Sequence, residues 1–356
     1  RSHTVEVTLT QPSHQWLYDI TGSAGIVYDL SAGQDLNAKP AGSGPYVFQR
    51  HDIGSTVSLA RNEKYWGTGP RVDEVRFNYY ADANAMVTAM LSGQLDIISN
   101  LTVPQSVDQF SDTSRYKVLE GTTDGEVVLG FNHATPALKD VRVRQAINHA
   151  IDRKALLDGA WGGRGALIGS MVAPTDPWYE DLSATYPYDP AKARQLLAEA
   201  GHSEGLSLRM RVPNLPYGPP ILKIVTAQLA EVGVTVEPEE LEFSTWLEQV
   251  YTQRNYDLTV VAHVEPRDLS SFANPDYYWQ YNNPQFAELI TAADSAASAS
   301  EQKTRLQEAA RLLAEDAAAD WLFLLPNLVI TTAEISGVAT NTTGLSFDLT
   351  HVATNR

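Results

Sequence analysis

His263, Glu265, Arg267 and Asp268 fall within six residues, directly after the apolar run Leu258-Thr259-Val260-Val261. In open α/β sheets, ligands gather just past the carboxyl ends of strands. An imidazole, two carboxylates and a guanidinium at this density could bind a zwitterion. A carboxylate would take its ammonium and the guanidinium its carboxylate. The competing reading is a solvated loop in which Arg267 pairs with Glu265 or Asp268 at the surface, a pair that contributes little. The residues leave the two readings level. Aromatic residues add a second clue: Tyr277-Tyr278-Trp279-Gln280-Tyr281 sets four rings in five residues, and Tyr217, Trp246 and Trp178 lie in or beside loops. Aromatic-lined clefts suit apolar or peptide ligands, although core packing accounts for most single rings. Asn214-Leu215-Pro216-Tyr217 joins a strand to a helix, either as a ligand-facing loop or as a stiff connection.

Other chemistries find little support. There is no HExxH, GxxxxGK[ST] or GxSxG pattern, and the eight histidines show no ligand spacing. Ser114-Arg115-Tyr116-Lys117 matches SxxK but lacks the partner motifs of enzymes that use it. The absence of Cys excludes disulfides, thiolate metal sites and a Cys nucleophile. His263 with Glu265 is thin support for a metal ion. No catalytic residue, resident metal or cofactor is expected. Lys and Arg number 26 against 43 Asp and Glu, a formal charge of −17, which argues against nucleic acid or an anionic membrane as partner.

The elements that must position these residues alternate between strand and helix, so the fold class is α/β. A chain of 356 residues exceeds the single-core limit of about 250–300, so two lobes are expected. The opening Thr4–Leu9 alternates as a strand. Asp189-Pro190 caps and opens a helix that Gly201 ends. Strand Leu206–Val212, helix Pro220–Val232 and strand Val234–Val236 form a unit that predicts a parallel pair. A helix over Ser244–Arg254 is expected, and Trp321–Leu325 reads as a strand ended by Pro326. Strand-rich, helix-rich and again strand-rich stretches suggest a first lobe over 1–125, a second over 126–326, and a return to the first over 327–356. Crossovers are expected near Gly125–Phe131 and Trp321–Asn327.

Several segments, taken together, resemble one family. Gly42-Ser43-Gly44-Pro45-Tyr46 with Arg61-Asn62-Glu63-Lys64-Tyr65-Trp66 is similar to a signature of the bacterial extracellular solute-binding proteins, family 5, which serve peptide and nickel ABC importers. Asp140-Val141-Arg142-Val143-Arg144-Gln145-Ala146 with Ala150-Ile151-Asp152-Arg153 resembles that family's central run. Tyr188-Asp189-Pro190 with Leu196-Leu197-Ala198-Glu199-Ala200-Gly201 resembles another of its segments.

The resemblance implies a two-lobed periplasmic-binding-protein fold of type II, the large peptide-binder kind, with ligand enclosed at a hinge between the lobes. It implies a short peptide ligand, ABC permease subunits as partners, a monomer, and an extracytoplasmic place as a periplasmic protein or lipoprotein. Nickel or a metal chelate, or a peptide-sensing role without transport, are the alternatives. Peptide binders of the family hold the α-ammonium on an acidic residue just after a second-lobe strand, a role that falls here to Glu265 or Asp268. Further ligand-facing candidates are Phe131-Asn132, Asn214, Tyr217 and Trp246. The match begins well inside the first lobe, so the family's usual N-terminal portion, with its export signal, is expected to be missing.

Overall fold

The computed structural model describes residues 4–27, 35–36, 38–344 and 347–355. In chain order the helices and strands are α1 Gln15–Asp19, β1 Tyr46–Asp52, β2 Thr56–Arg61, β3 Glu74–Asn78, α2 Ala83–Leu91, β4 Ile97–Ile98 and β5 Tyr116–Phe131. There follow α3 Val141–Ala150, α4 Arg153–Trp161, α5 Pro190–Glu199, β6 Leu206–Pro213, α6 Gly218–Glu231, β7 Val234–Leu241, α7 Phe243–Trp246 and β8 Leu258–His263. The chain closes with α8 Pro284–Asp294, α9 Ala299–Glu315, β9 Ala319–Thr332, β10 Ile335–Ser336 and β11 Ala353–Thr354. Side chains of Asp82, Asp140, Asp152, Asp189, Asn283 and Ser298 accept backbone N–H bonds at the starts of α2, α3, α4, α5, α8 and α9. Each satisfies a donor that a helix start otherwise leaves open.

The chain divides into two compact units. The larger holds residues 1–21 and 123–326, the smaller 22–122 and 327–356. In the larger unit the strand order is β9-β5-β8-β6-β7. β6 and β7 run parallel through α6, as the strand–helix–strand pattern predicts. β8 touches β6 in parallel at Met210 and Leu258 but runs antiparallel to β5, pairing Glu126 with His263 and Phe131 with Leu258.

Side-chain alternation along β5 and β8 divides two cores. Val127, Leu129, Phe131, Leu258 and Val260 face the helix-covered core of α3, α4, α5 and α6. Val128 and Val261 face an aromatic core with Trp246, Tyr256, Tyr278 and Trp279. Gly130 belongs to the aromatic side. A Cβ there would stand 2.1 Å from the Trp279 ring, so only glycine lets the indole press against the strand.

In the smaller unit β1, β2 and β3 form an antiparallel sheet, and β4 pairs with the end of β9 through Ile97–Thr331 and Ile98–Ile330. Val87, Met90, Ile98, Phe110, Leu328 and Ile330 make one of its cores.

Three local expectations are corrected. Residues 4–9 form no strand and are exposed, because their alternating side chains meet no partner strand among the described residues. Pro326 does not end the strand at Leu325; β9 runs through it to Thr332. A proline lacks only the N–H, so a strand tolerates it where no neighbour calls on that donor. The helix expected over Ser244–Arg254 is the short α7 followed by a π-helical turn, Leu247–Thr252, and Arg254 takes a left-handed backbone with φ 57°.

Candidate functional site

The site is built where the aromatic face of the larger unit's sheet ends. His263, the last residue of β8, is held at both ring nitrogens. Nδ1 lies 2.8 Å from Asp268 Oδ2 and Nε2 lies 2.7 Å from the Tyr278 hydroxyl. Its ring is parallel to that of Tyr278 and 5.0 Å from Trp279. After the strand, Arg267 takes a left-handed backbone, φ 61°, and caps the 3₁₀ turn Asp268–Ala273. This local kink brings Asp268 back toward His263.

Arg267 pairs with neither Glu265 nor Asp268, the partners a solvated loop would give it. Its guanidinium carbon sits 3.6 Å from the Tyr18 ring centre and 4.8 Å from that of Trp178. Its Nε lies 3.5 Å from Asp176 Oδ1, an ion contact longer than a normal hydrogen bond.

Glu126 stands opposite His263 across the β5–β8 ladder, and Asp124 is two residues earlier on the same strand face. Glu126 is 3% exposed and Asp124 8%. Glu126 Oε2, Asp124 Oδ2 and Asp268 Oδ1 have no hydrogen-bond partner among the described residues. Burial, then the neighbouring Asp268, holds the Glu126 carboxyl well above the usual range. Burial, then Asp176, pushes Asp124 up to about 6, with Arg267 acting against the shift. Asp176 is likewise raised by burial and offset by Arg267. Asp124 and Asp176 share the Arg267 guanidinium, in a medium that strengthens the repulsion among all these carboxylates.

Asp124 carries a consequence for stability. Its folded pKa of about 6 lies above the unfolded value of about 3.9, so the folded chain holds that proton more tightly. The stabilisation is complete below roughly pH 4 and lost as pH rises through about 6. Asp124→Asn is therefore expected to melt at a higher temperature than the parent near pH 7.5 and at the same temperature near pH 4, in ligand-free thermal denaturation.

The donor atoms of His263, Glu265 and Asp268 all lie within 4.8 Å of one another, a spacing a metal ion could use. Both His263 nitrogens are engaged, however, so an ion there must first displace Asp268 or Tyr278.

The other sequence candidates lie elsewhere in the larger unit. Phe131 is completely buried in the helix-covered core. Tyr217 is buried and its hydroxyl accepts the Ala262 N–H. The buried Trp246 donates its indole N–H to Thr259 Oγ1. Asn214 is exposed and donates to Glu242. The Asn132 amide donates to the carbonyls of Arg254 and Tyr256 and accepts from Gln280 and the Ala134 N–H. Asn132 also lines a polar pocket of 480 Å³ with Arg209, Arg254 and Asp257, at the opposite end of β8. The fold thus gathers His263, Glu265 and Asp268, sets Arg267 beside them, and adds Asp124, Glu126, Asp176 and Tyr18. The available signal for the first two was their spacing: acids two apart leading into an apolar strand share one face.

The description "bacterial extracellular solute-binding proteins, family 5 Middle" matches residues 1–283. A protein of Brucella ovis assigned as an ABC transporter peptide-binding protein is 33% identical over 222 residues, covering 61% of this chain and 41% of its own length. The chain thus spans less than half of that relative. The dipeptide-binding protein of a Pseudoalteromonas species, solved with Met-Leu, superposes with a TM-score of 0.81 at 18% identity, over 99% of this chain and 75% of that one. NikA of Staphylococcus aureus, solved with Ni(L-His)2, gives 0.72 at 19% identity, over 92% and 72%. The likeness shows an α/β periplasmic-binding-protein fold of type II. Among the described residues no helix is long and apolar enough to cross a membrane. With the family description matching well over half its residues, this chain belongs to the bacterial extracellular solute-binding proteins, family 5.

Proposed function

We propose that this chain captures short peptides outside the cytoplasm for delivery to the permease of an ABC importer. The observation that carries the reading is the pair of carboxylates, Glu265 and Asp268, placed just after β8 in a member of this family. In this reading they hold the peptide's α-ammonium. A charged group taken from water needs a charge partner, and a carboxylate with an unused oxygen supplies one. In this reading β5 and β9 serve as pivots of ligand closure; the chain passes between its units within each of them and once more at Thr21–Gly22.

Nickel or a metal chelate is the second reading, favoured by the donor spacing of His263, Glu265 and Asp268 and weakened by the engaged imidazole. Native mass spectrometry of freshly purified protein separates the two. Co-purified peptides, and calorimetric binding of dipeptides without added metal, are expected. A protein that ignores dipeptides and binds nickel–histidine takes the second reading. Steady peptide hydrolysis that survives repurification and vanishes in a single Ser or His variant would overturn both.

A further inference from the structure

We propose that Asp124 and Glu126 select for solutes with a second positive charge, a guanidinium or ammonium beyond the α-ammonium, and that Arg267 is the internal stand-in for that group. The inference rests on the peptide-capture reading and names the class of peptide it takes.

The charge balance at the site motivates it. Asp124, Glu126, Asp176 and Asp268 lie close enough to perturb one another, and Arg267 is the guanidinium that acts on Asp124 and Asp176. The deeply buried Glu126 has an oxygen with no partner among the described residues, and β-ladder register sets its side chain beside His263, with Asp268 near it. Unpaired carboxylates are rarely buried together, because each loses its hydration and repels the others. A peptide with neutral side chains brings one ammonium, which Glu265 and Asp268 can satisfy. Glu126 then still lacks a cation, and Asp124 has only Arg267, which it shares with Asp176.

Arg267 shows what cation the place accepts. Its planar guanidinium lies over the rings of Tyr18 and Trp178 and beside Asp176, the combination of aromatic faces and carboxylate that suits a delocalised cation. Arg267 reaches it from a left-handed backbone that a non-glycine residue adopts at some cost. Its side chain is held there by the two rings and by Asp176. A ligand guanidinium offers the same contacts and frees Arg267 to turn to solvent.

The test compares Arg-Leu with citrulline-Leu, which differ at the side chain by little more than the charge, and adds agmatine as a cation without a peptide. Binding to the full chain is measured by calorimetry. Arg-Leu is expected to bind at least about tenfold more tightly than citrulline-Leu. The ratio should fall to within about threefold in Asp124→Asn/Glu126→Gln. Arg267→Ala should raise the ratio of Arg-Leu to citrulline-Leu affinity above the parent's, a readout that stands even if the double variant folds poorly. Equal affinity for the two dipeptides overturns the inference and leaves peptide capture intact. Binding of agmatine that the double variant loses, without binding of either dipeptide, supports the cation site and sinks peptide capture. Binding of none of the three overturns both.

Discussion

Asp268→Asn is expected to weaken dipeptide binding by about 2–5 kcal/mol, the cost of removing one partner from a desolvated charge pair. Asp268 is the better placed of the two carboxylates after β8. Its Oδ2 is fixed by His263 Nδ1 at 2.8 Å, which orients the group, while Oδ1 has no partner among the described residues. His263 is in turn fixed by Tyr278, so the carboxylate stands on a rigid base. Asparagine keeps an oxygen that can accept from His263, so the variant removes charge with little change of shape. Glu265 is exposed, and Glu265→Gln should cost only about 0–1 kcal/mol, as surface ion pairs do. The contrast between the two variants is the test. Calorimetry that finds both within about threefold of the parent, under roughly 1 kcal/mol, shows that this segment does not hold the ligand.

Arg144→Ala is expected to destabilise the fold by about 3–5 kcal/mol in urea denaturation. Arg144 lies in the segment Asp140–Ala146 that resembles the family's central run, yet it is 6% exposed and serves the interior. Its guanidinium donates to the carbonyls of Leu138 at 2.8 Å, Ala317 at 3.1 Å, Asp316 at 2.7 Å and Lys139 at 3.3 Å. These acceptors belong to the turn before α3 and to the corner after α9, where Ala317 takes a left-handed backbone, φ 45°. Alanine would leave buried carbonyls without donors, at about 1–3 kcal/mol each. Arg144→Lys should recover less than half of the loss, because an ammonium cannot span acceptors that a planar fork reaches together. A loss below about 1 kcal/mol for Arg144→Ala would show that water replaces the guanidinium at those carbonyls.

Other motif residues are likewise structural. Asn62, in the Arg61–Trp66 signature, donates its side-chain amide to the Gly44 carbonyl, and its backbone N–H bonds to Pro45. Asp189 caps α5. Such residues identify a family because its turns need them, and they say little about the solute. That is why the family resemblance was legible in the sequence while ligand-facing residues were not.

By itself the sequence determined the α/β class, the parallel β6–β7 pair, the capped helices and the cluster of charges after β8. These follow from short-range rules: strand and helix periods, cap chemistry, and residues only a few positions apart. It also placed His263, Glu265, Arg267 and Asp268 in one neighbourhood, because a six-residue segment cannot scatter them. Tertiary structure alone decided their roles. Register across β5 and β8 set Glu126 against His263, and the packing of the segment around Tyr18 within the larger unit put its ring on Arg267. Tertiary packing also turned Phe131, Tyr217 and Trp246 into interior supports. Local sequence could not show this, because period and composition tell which face of a strand is apolar but not which distant strand lies beside it. Electrostatics at the site depends on that neighbour: carboxylates far apart in the chain perturb one another only once the ladder brings them together and burial removes the water between them.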